Sequence, residues 1–216
     1  MGLVLVYPWS MADAGPMGQN RSRDWDADAA SVTRFQAGHE DAFEALVRSR
    51  EREVYRVALR MLGDPDDAME ASQETFIRVY RSLKDFRNDA SFKTWVIGIC
   101  MNVCRNMLSS TAGKMKRKRS PLARENREDG EEMEPALQDI SPDPASMTLG
   151  SELRQALGRA LHALSPEHRE IIVLRDIQDL DYDQVGLLLN CPVGTVKSRL
   201  SRARQALREA LEGIWP

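Results

Sequence analysis

Apolar residues recur at three- and four-residue steps between residues 26 and 108, the spacing of amphipathic helices. The pattern predicts helices over Asp26–Ala37 and Glu40–Leu62, each followed by a glycine suited to the left-handed backbone after a helix end. Asp64 is placed to cap a third helix, with Pro65 in its first turn. Ser91 is placed to cap a fourth helix that runs to about Leu108 and is apolar on most of its faces, so we expect it at the centre of a bundle.

A second helical stretch begins near Leu153, and Ser165 with Pro166 starts its next helix. The segment "DYDQVGLLLNCPVGTVKSRLSRARQAL" then predicts a helix, a tight turn at Asn190 and a longer helix. One stripe of the longer helix is apolar: Val196, Leu200, Ala203 and Leu207. The opposite side carries Lys197, Ser198, Ser201, Arg202 and Gln205, flanked by Thr195 and Arg199. Polar and basic groups there suit a helix-turn-helix whose second helix enters the major groove.

Residues 111–151 differ in character from both helical stretches. A basic cluster, an acidic run and "SPDPAS" follow one another with few large apolar residues, which favours a flexible linker. The sequence therefore predicts an all-α protein of two small helical domains, 26–110 and 152–216. A flexible tail is expected over 1–25, with Met11 and Met17 as alternative starts.

Composition and charge narrow the possible functions. The formal charge is -3 and the pI about 5.7, so we expect any DNA contact to depend partly on another source of affinity. The three cysteines are too few and poorly placed for a disulfide framework, which favours the cytoplasm, and no apolar window suggests membrane insertion. Cys100 and Cys104 are interpreted as buried small hydrophobes. His39, His162 and His168 lie far apart in the sequence, and we expect no metal, cofactor, small-molecule substrate or catalytic residue.

Four motifs together carry a resemblance to a known family: "DAFEALV", "DPDDAMEASQETFIRVYRSL", "FRNDASFKTW" and "CPVGTVKSRLSRAR". "GTVKSRL" alone also resembles the DNA-binding domain of response regulators. In this order and spacing, the motifs resemble the extracytoplasmic-function (group IV) sigma factors of the sigma-70 family, over residues 27–109 and 152–212. The resemblance implies a non-enzymatic initiation subunit that binds core RNA polymerase, recognises promoter DNA at two elements and stabilises a short melted bubble. It also implies an anti-sigma factor as a partner.

The resemblance further implies roles for particular residues. The polymerase-binding residues would be Asp67, Glu70, Gln73 and Glu74. The −10 element would meet Phe86, Arg87, Asn88, Asp89, Ser91, Phe92, Lys93 and Asn102, with the two phenylalanines lining a wall for a flipped base. The −35 element would meet Thr195, Lys197, Ser198, Arg199, Ser201 and Arg202.

An autonomous helix-turn-helix regulator is the alternative interpretation. Such a protein would bind a symmetric operator as a dimer, without polymerase. The acidic helix "DAMEASQE" and the loop "FRNDASFK" have no role in that interpretation.

Overall fold

The computed structural model describes the backbone of residues 22–118 and 155–212, and the side chains of 28–110 and 155–212. Every regular element in these ranges is helical, as the sequence predicted. The first unit contains α1 (Ser22–Gln36), α2 (Asp41–Leu62), α3 (Pro65–Ser82) and α4 (Phe92–Lys118), with a 3₁₀ turn at Leu83–Asp85. The second contains α5 (155–163), α6 (Pro166–Ile172), a π-helical turn at Val173–Ile177, α7 (Tyr182–Leu189) and α8 (Val193–Glu212). Most of the predicted tail and linker lies outside the described residues.

Local sequence signals set the boundaries of α2 and α3. Gly63 ends α2 in the left-handed conformation (φ 84°), and the carboxylate of Asp64 accepts hydrogen bonds from the backbone N–H groups of Asp66 and Asp67, both at 2.9 Å. The predicted cap at Asp64 is therefore confirmed. This cap begins α3 with two acidic residues at the positive end of its dipole.

Helix α4 lies at the centre of the first unit. Ser91 Oγ accepts from the backbone N–H of Thr94 at 3.1 Å, as expected for a cap. Buried apolar residues lie on several sides of α4, among them Val96, Ile97, Ile99, Cys100, Met101, Val103 and Cys104. The helix extends to Lys118, well past the end predicted near Leu108 and into the segment assigned to the linker. Apolar periodicity in the sequence ends near Leu108, so it did not predict the full length of this helix.

The second unit contains the predicted helix-turn-helix. Asn190 ends α7 in the left-handed conformation (φ 50°). Asp181 begins α7 with a capping box to Gln184, which was not predicted from the sequence. A Cβ on Gly186 would lie 2.8 Å from the carbonyl oxygen of Cys191, so glycine permits the tight turn. Val196, Leu200 and Ala203 are buried on α8, which fixes the outward direction of its polar side.

The two units are in contact with each other, which the linker prediction did not anticipate. Arg105 on α4 pairs with Glu170 on α6 at 2.6 Å, and Gln184 on α7 donates to Thr94 Oγ1 at 3.1 Å. The second unit thus lies against the helix at the centre of the first. Across the described helices, none combines the length and apolar character that a membrane crossing requires.

Candidate protein-binding and nucleic-acid-binding surfaces

The outer side of α3 forms an acidic surface. Asp67, Glu70 and Gln73 are exposed and Glu74 is half-buried, whereas the opposite side of the helix is buried. Arg78 Nε donates to Glu74 Oε1 at 2.7 Å, which partly neutralises that carboxylate. The structure therefore brings all four predicted residues to one accessible side of a single helix.

Two apolar residues extend this acidic surface and were missed from the sequence. Met69 is 47% exposed and Ile77 is 45% exposed, and they lie one helical turn before and after Gln73. Neither lies on the buried side of α3, which runs through Ala68, Thr75 and Val79. Their positions outside this apolar periodicity were the signal in the sequence that both side chains are exposed. Exposed apolar groups among acidic ones are typical of a protein-binding surface rather than a DNA-binding one.

The two phenylalanines of the loop after α3 are part of the core. Phe86 is 8% exposed and Phe92 is 4% exposed. The Phe86 ring stacks on Trp95, with centroids 4.6 Å apart, and lies edge-on to Phe92 at 6.3 Å. In this structure both rings pack inside the first unit beneath the exposed residues of the loop, and neither has a face open to a base.

The polar residues of the same loop divide into two groups. Arg87, Asn88 and Asp89 are exposed, and Asn88 has a left-handed backbone (φ 57°). Ser91 is half-buried and caps α4. Lys93 is also half-buried, with its Nζ 3.0 Å from a carboxylate oxygen of Glu53. The exposed loop tip is thus the part that is directly available to a ligand.

Asn102, predicted to lie near the −10 strand, occupies α4 at some distance along the helix from the loop. It is half-buried, and its Oδ1 accepts from Arg105 Nη1 at 2.7 Å. Its amide oxygen is therefore already used within the protein. On the same helix, the Cys100 and Cys104 side chains are fully buried. Hydrogen bonding to Cys100 and burial raise the pKa of the Cys104 thiol, so it stays protonated and is a poor metal ligand or nucleophile.

Helix α8 presents the polar side that the sequence predicted. Lys197, Ser198, Ser201 and Arg202 are exposed, and Thr195 and Arg199 are half-buried. A Cβ on Gly194 would meet nothing within 4 Å, which leaves the start of the helix open to close approach. All six predicted −35 residues lie on one side of the helix or at its border.

Tyr182 at the start of α7 belongs to the same surface and was missed from the sequence. Lys197 Nζ lies 5.6 Å from the centroid of its ring, and the guanidinium of Arg175 lies 5.3 Å from it. Tyr182 lines one cleft with Lys197, Ser201 and Arg202. Since a cation over an aromatic face is held in place, the ring orients Lys197 along this cleft.

Both units match models of known protein families. Residues 46–113 match the family model for sigma-70 region 2, and residues 154–207 match that for sigma-70 region 4. The chain is 33% identical over 191 residues to the RNA polymerase sigma-H factor of Pseudomonas aeruginosa, covering 88% of this chain and 96% of that protein. It is 35% identical over 191 residues to the ECF RNA polymerase sigma-E factor of Escherichia coli K12, covering 87% and 95%.

Solved structures share the fold. The sigma factor RpoE in complex with the anti-sigma factor NepR from Bartonella quintana matches with a TM-score of 0.59 at 22% identity, over 79% of this chain and 96% of that one. CnrH in complex with the cytosolic domain of CnrY matches with a TM-score of 0.58 at 23% identity, over 87% and 99%. With both regions matched in order along the chain, the protein belongs to the extracytoplasmic-function sigma factors of the sigma-70 family.

Proposed function

We propose that this sigma factor docks on core RNA polymerase through the acidic side of α3 and reads promoter DNA through the loop 86–93 and helix α8. The observation that carries the proposal is the presence of two exposed surfaces of opposite charge in one chain. Asp67, Glu70 and Glu74 on α3 would repel phosphate, whereas Lys197 and Arg202 on α8 would attract it. One surface thus suits a basic protein partner and the other suits DNA.

The docking surface on α3 combines charge with apolar contact. Carboxylates steer association with a basic partner helix, but exposed ion pairs contribute only about 0–1 kcal/mol each. Met69 and Ile77 are already about half-buried, so covering them fully would supply roughly half of the usual 1.5–3 kcal/mol for each side chain, about 1 kcal/mol. We infer that the apolar pair provides much of the affinity and the acidic groups provide orientation.

For the −10 element, the exposed loop tip provides the contacts in our proposal. Asn88 and Asp89 offer hydrogen-bonding groups to a base edge, and Arg87 offers a cation to phosphate. The stacked Phe86 and Trp95 rings give the loop a rigid base. A direct stacking contact by Phe86 or Phe92 would require the loop to open, so we assign both rings a supporting role in the closed loop.

Strand opening in this proposal uses binding energy from the polymerase complex and needs no cofactor. We further propose an anti-sigma partner and a cytoplasmic location. Two structural neighbours support this: one is the sigma factor RpoE in complex with an anti-sigma factor, and the other is CnrH in complex with the cytosolic domain of CnrY. An anti-sigma factor that covers α3 and α8 would block both binding surfaces.

Run-off transcription with purified core polymerase on a genomic promoter library tests the proposal. The full chain should yield specific transcripts, and the Gln73→Ala, Glu74→Ala double variant should weaken them severalfold, since each polar contact contributes about 0–1 kcal/mol. A Glu44→Ala, Glu51→Ala double variant on the exposed side of α2 is the matched control and should retain activity. Core binding measured separately should fall in the first variant only.

The autonomous-regulator interpretation makes a different prediction in the same experiment. It expects no dependence of transcription on the protein and a footprint of the protein alone on a palindromic site. That result would remove the polymerase-binding role of α3. An Arg202→Ala variant that lost transcripts but kept core binding would assign α8 to DNA within the sigma proposal.

A further inference from the structure

A chain of four charged side chains runs through the first unit, from α1 to the start of α4. Its members alternate in charge: Asp28 on α1, Arg50 and Glu53 on α2, and Lys93 on α4. Each member pairs with the next, and we call these four residues the charge chain. The last member, Lys93, is one of the candidate −10 residues.

The charge chain is anchored in the core at Asp28. The Asp28 side chain is 4% exposed, so its carboxylate needs partners within the protein. Arg50 Nε and Nη2 donate to Asp28 Oδ2 at 2.8 and 2.6 Å, and Ser49 Oγ donates to Asp28 Oδ1 at 3.0 Å. These charge-assisted hydrogen bonds fix the Arg50 guanidinium between α1 and α2.

Glu53 connects this anchor to Lys93. Arg50 Nη1 donates to Glu53 Oε2 at 3.1 Å, and Lys93 Nζ lies 3.0 Å from Glu53 Oε1. The side chains of Glu53 and Lys93 are 25% and 18% exposed, so water screens their attraction less than it screens a surface pair. Glu53 thus holds the Lys93 amine at a fixed place beside α2.

Lys93 lies at the positive end of a helix dipole. It is the second residue of α4, and residues 92–95, the first turn, contain no acidic side chain. The dipole favours anions at this end of a helix, so a lysine here adds to an already positive potential. Such a potential attracts phosphate whatever the base sequence. The compensating carboxylate, that of Glu53, comes from a different helix.

The charges of the neighbouring loop indicate what this compensation does. Between residues 86 and 93, the basic side chains of Arg87 and Lys93 face one acidic side chain, that of Asp89, and Glu53 brings the local formal charge to zero. A neutral surface depends more on hydrogen bonds to base edges and less on attraction to the DNA backbone. Since specificity is a ratio of affinities, weaker sequence-independent binding increases it.

We propose that Glu53 is a positioning residue for −10 recognition: it holds the Lys93 amine on the protein and so limits sequence-independent binding of phosphate at the start of α4. Asp28 and Arg50 keep the Glu53 carboxylate in place for this role. The inference rests on the proposed function, because it takes the loop 86–93 as the surface that meets the −10 element.

Glu53→Gln tests the proposal in the holoenzyme formed from the full chain and core polymerase. The variant keeps the shape of the side chain and removes its charge. Two DNA fragments serve as probes: a promoter from the run-off library and the same promoter with its −10 element scrambled. Release of the Lys93 amine should steepen the dependence of the logarithm of the binding constant on the logarithm of salt concentration by about 0.7–0.9.

The two fragments should respond differently at low salt. The scrambled fragment should bind severalfold more tightly to the Glu53→Gln holoenzyme than to wild type, because one more cation is available to phosphate. The intact promoter should gain less, because the end of the loop also loses its link to α2. The ratio of the two affinities should therefore fall. Partial unfolding of the variant cannot imitate this result, since unfolding weakens binding to both fragments.

Glu44→Gln is the matched control, because it removes the same charge from the same helix. Glu44 pairs with Arg48 at 2.5 Å near the start of α2, where both side chains are exposed. This control should change neither the salt dependence nor the ratio of affinities. Equal changes in Glu44→Gln and Glu53→Gln would overturn the proposal, because they would reflect net charge alone.

Lys93→Met shows whether Glu53 acts through Lys93. In that background, Glu53→Gln should no longer strengthen binding to the scrambled fragment. A gain that persists without the Lys93 amine would overturn the positioning role.

A loop variant separates this inference from the proposed function. Arg87→Ala with Asn88→Ala removes two exposed groups of the loop tip and should weaken binding to the intact promoter. If binding is unchanged, the proposed function fails, while the Glu53 and Lys93 variants on the scrambled fragment still show whether Glu53 restrains the amine. If binding weakens but Glu53→Gln changes neither the salt dependence nor the ratio, only the positioning role is overturned.

Discussion

The buried guanidinium of Arg169 is expected to be a main source of stability for the second unit. Arg169 is 7% exposed. It donates to the carbonyl oxygens of Leu161 and His162, both at 3.0 Å, and of Leu164 at 3.3 Å. A further hydrogen bond reaches the carbonyl oxygen of Met61 at the end of α2. The Arg169 guanidinium therefore donates hydrogen bonds to carbonyl oxygens at the end of α5. It also joins this end to the first unit.

The reason lies in how a helix ends. The last four carbonyl groups of a helix have no partner within it, and they form the negative end of its dipole. A cation with five donors in a planar fork can satisfy several of these oxygens at once. Burial lowers the pKa of Arg169, but a guanidinium is so strongly basic that the side chain stays charged at neutral pH.

Arg169→Met keeps an apolar side chain of similar length and removes every donor. Hydrogen bonds to a charged group contribute about 1.5–3 kcal/mol each, and a buried acceptor left without a partner costs about 1–3 kcal/mol. These terms overlap because all the bonds share one guanidinium and some carbonyls regain water. We expect a loss of about 3–4 kcal/mol in the free energy of unfolding, which lowers the Tm of so small a unit by more than about 10 °C.

Urea unfolding of the full chain, followed by circular dichroism at 222 nm, measures this loss. Arg159→Met is the matched control, since Arg159 is exposed on the same helix α5 and should change the free energy by less than about 0.5 kcal/mol. A loss below about 1 kcal/mol for Arg169→Met would refute the argument. It would mean that water replaces the guanidinium at these carbonyls at little cost.

Three further predictions concern stability. Asp64→Ala should lower the free energy of unfolding in urea by about 1 kcal/mol because α3 loses its cap. Asp64→Ser should retain most of that stability, and equal losses for the two variants would contradict the capping role. Gly186→Ala should destabilise by about 1–3 kcal/mol because the new Cβ meets the backbone oxygen of Cys191, whereas Gly158→Ala, with open space, should stabilise slightly; similar effects would contradict this explanation. Burial raises the pKa of Glu170, so its stabilising contribution is complete below the ordinary pKa and is lost as pH rises through the folded value. Glu170→Gln should therefore be at least as stable as wild type at pH 7, with the difference shrinking toward pH 4; a clear loss at pH 7 would show that the pair with Arg105 outweighs desolvation.

Local signals allowed most of the helices to be predicted. Gly63, Asp64, Ser165 and Asn190 each act within three or four residues of a helix end, and all four take the predicted roles. The outward side of α8 followed from periodicity alone, because its apolar stripe has one buried direction. Such features depend on neighbours in sequence, so the sequence contains the information needed to predict them.

The remaining differences depend on contacts between residues far apart in the chain. Lys93 was predicted to meet the −10 element, and in the fold its amine lies 3.0 Å from a carboxylate oxygen of Glu53 on α2. The backbone of Phe86 is held by Gln36 of α1, whose amide donates to the Phe86 carbonyl oxygen at 2.8 Å. The packing of α7 on α4 could not be predicted, since no local pattern marks Gly98 as the point of approach. Charge and aromatic character suggested the candidate residues, but only the fold shows which of them are accessible.

The charges around α8 favour a subunit of a complex over an autonomous regulator. Two arginines near its polar side are neutralised within the fold: Arg204 pairs with Asp176 at 2.6 Å, and Arg175 pairs with Asp179 at 2.7 Å. Lys197 and Arg202 stay exposed. Each phosphate contact releases about one counterion, and specific binding by an isolated protein usually draws on six or more contacts. With two arginines of the described second unit already paired, we expect this unit to bind DNA weakly by itself. The acidic side of α3 cannot supply the missing affinity for DNA, so we expect a partner to supply it.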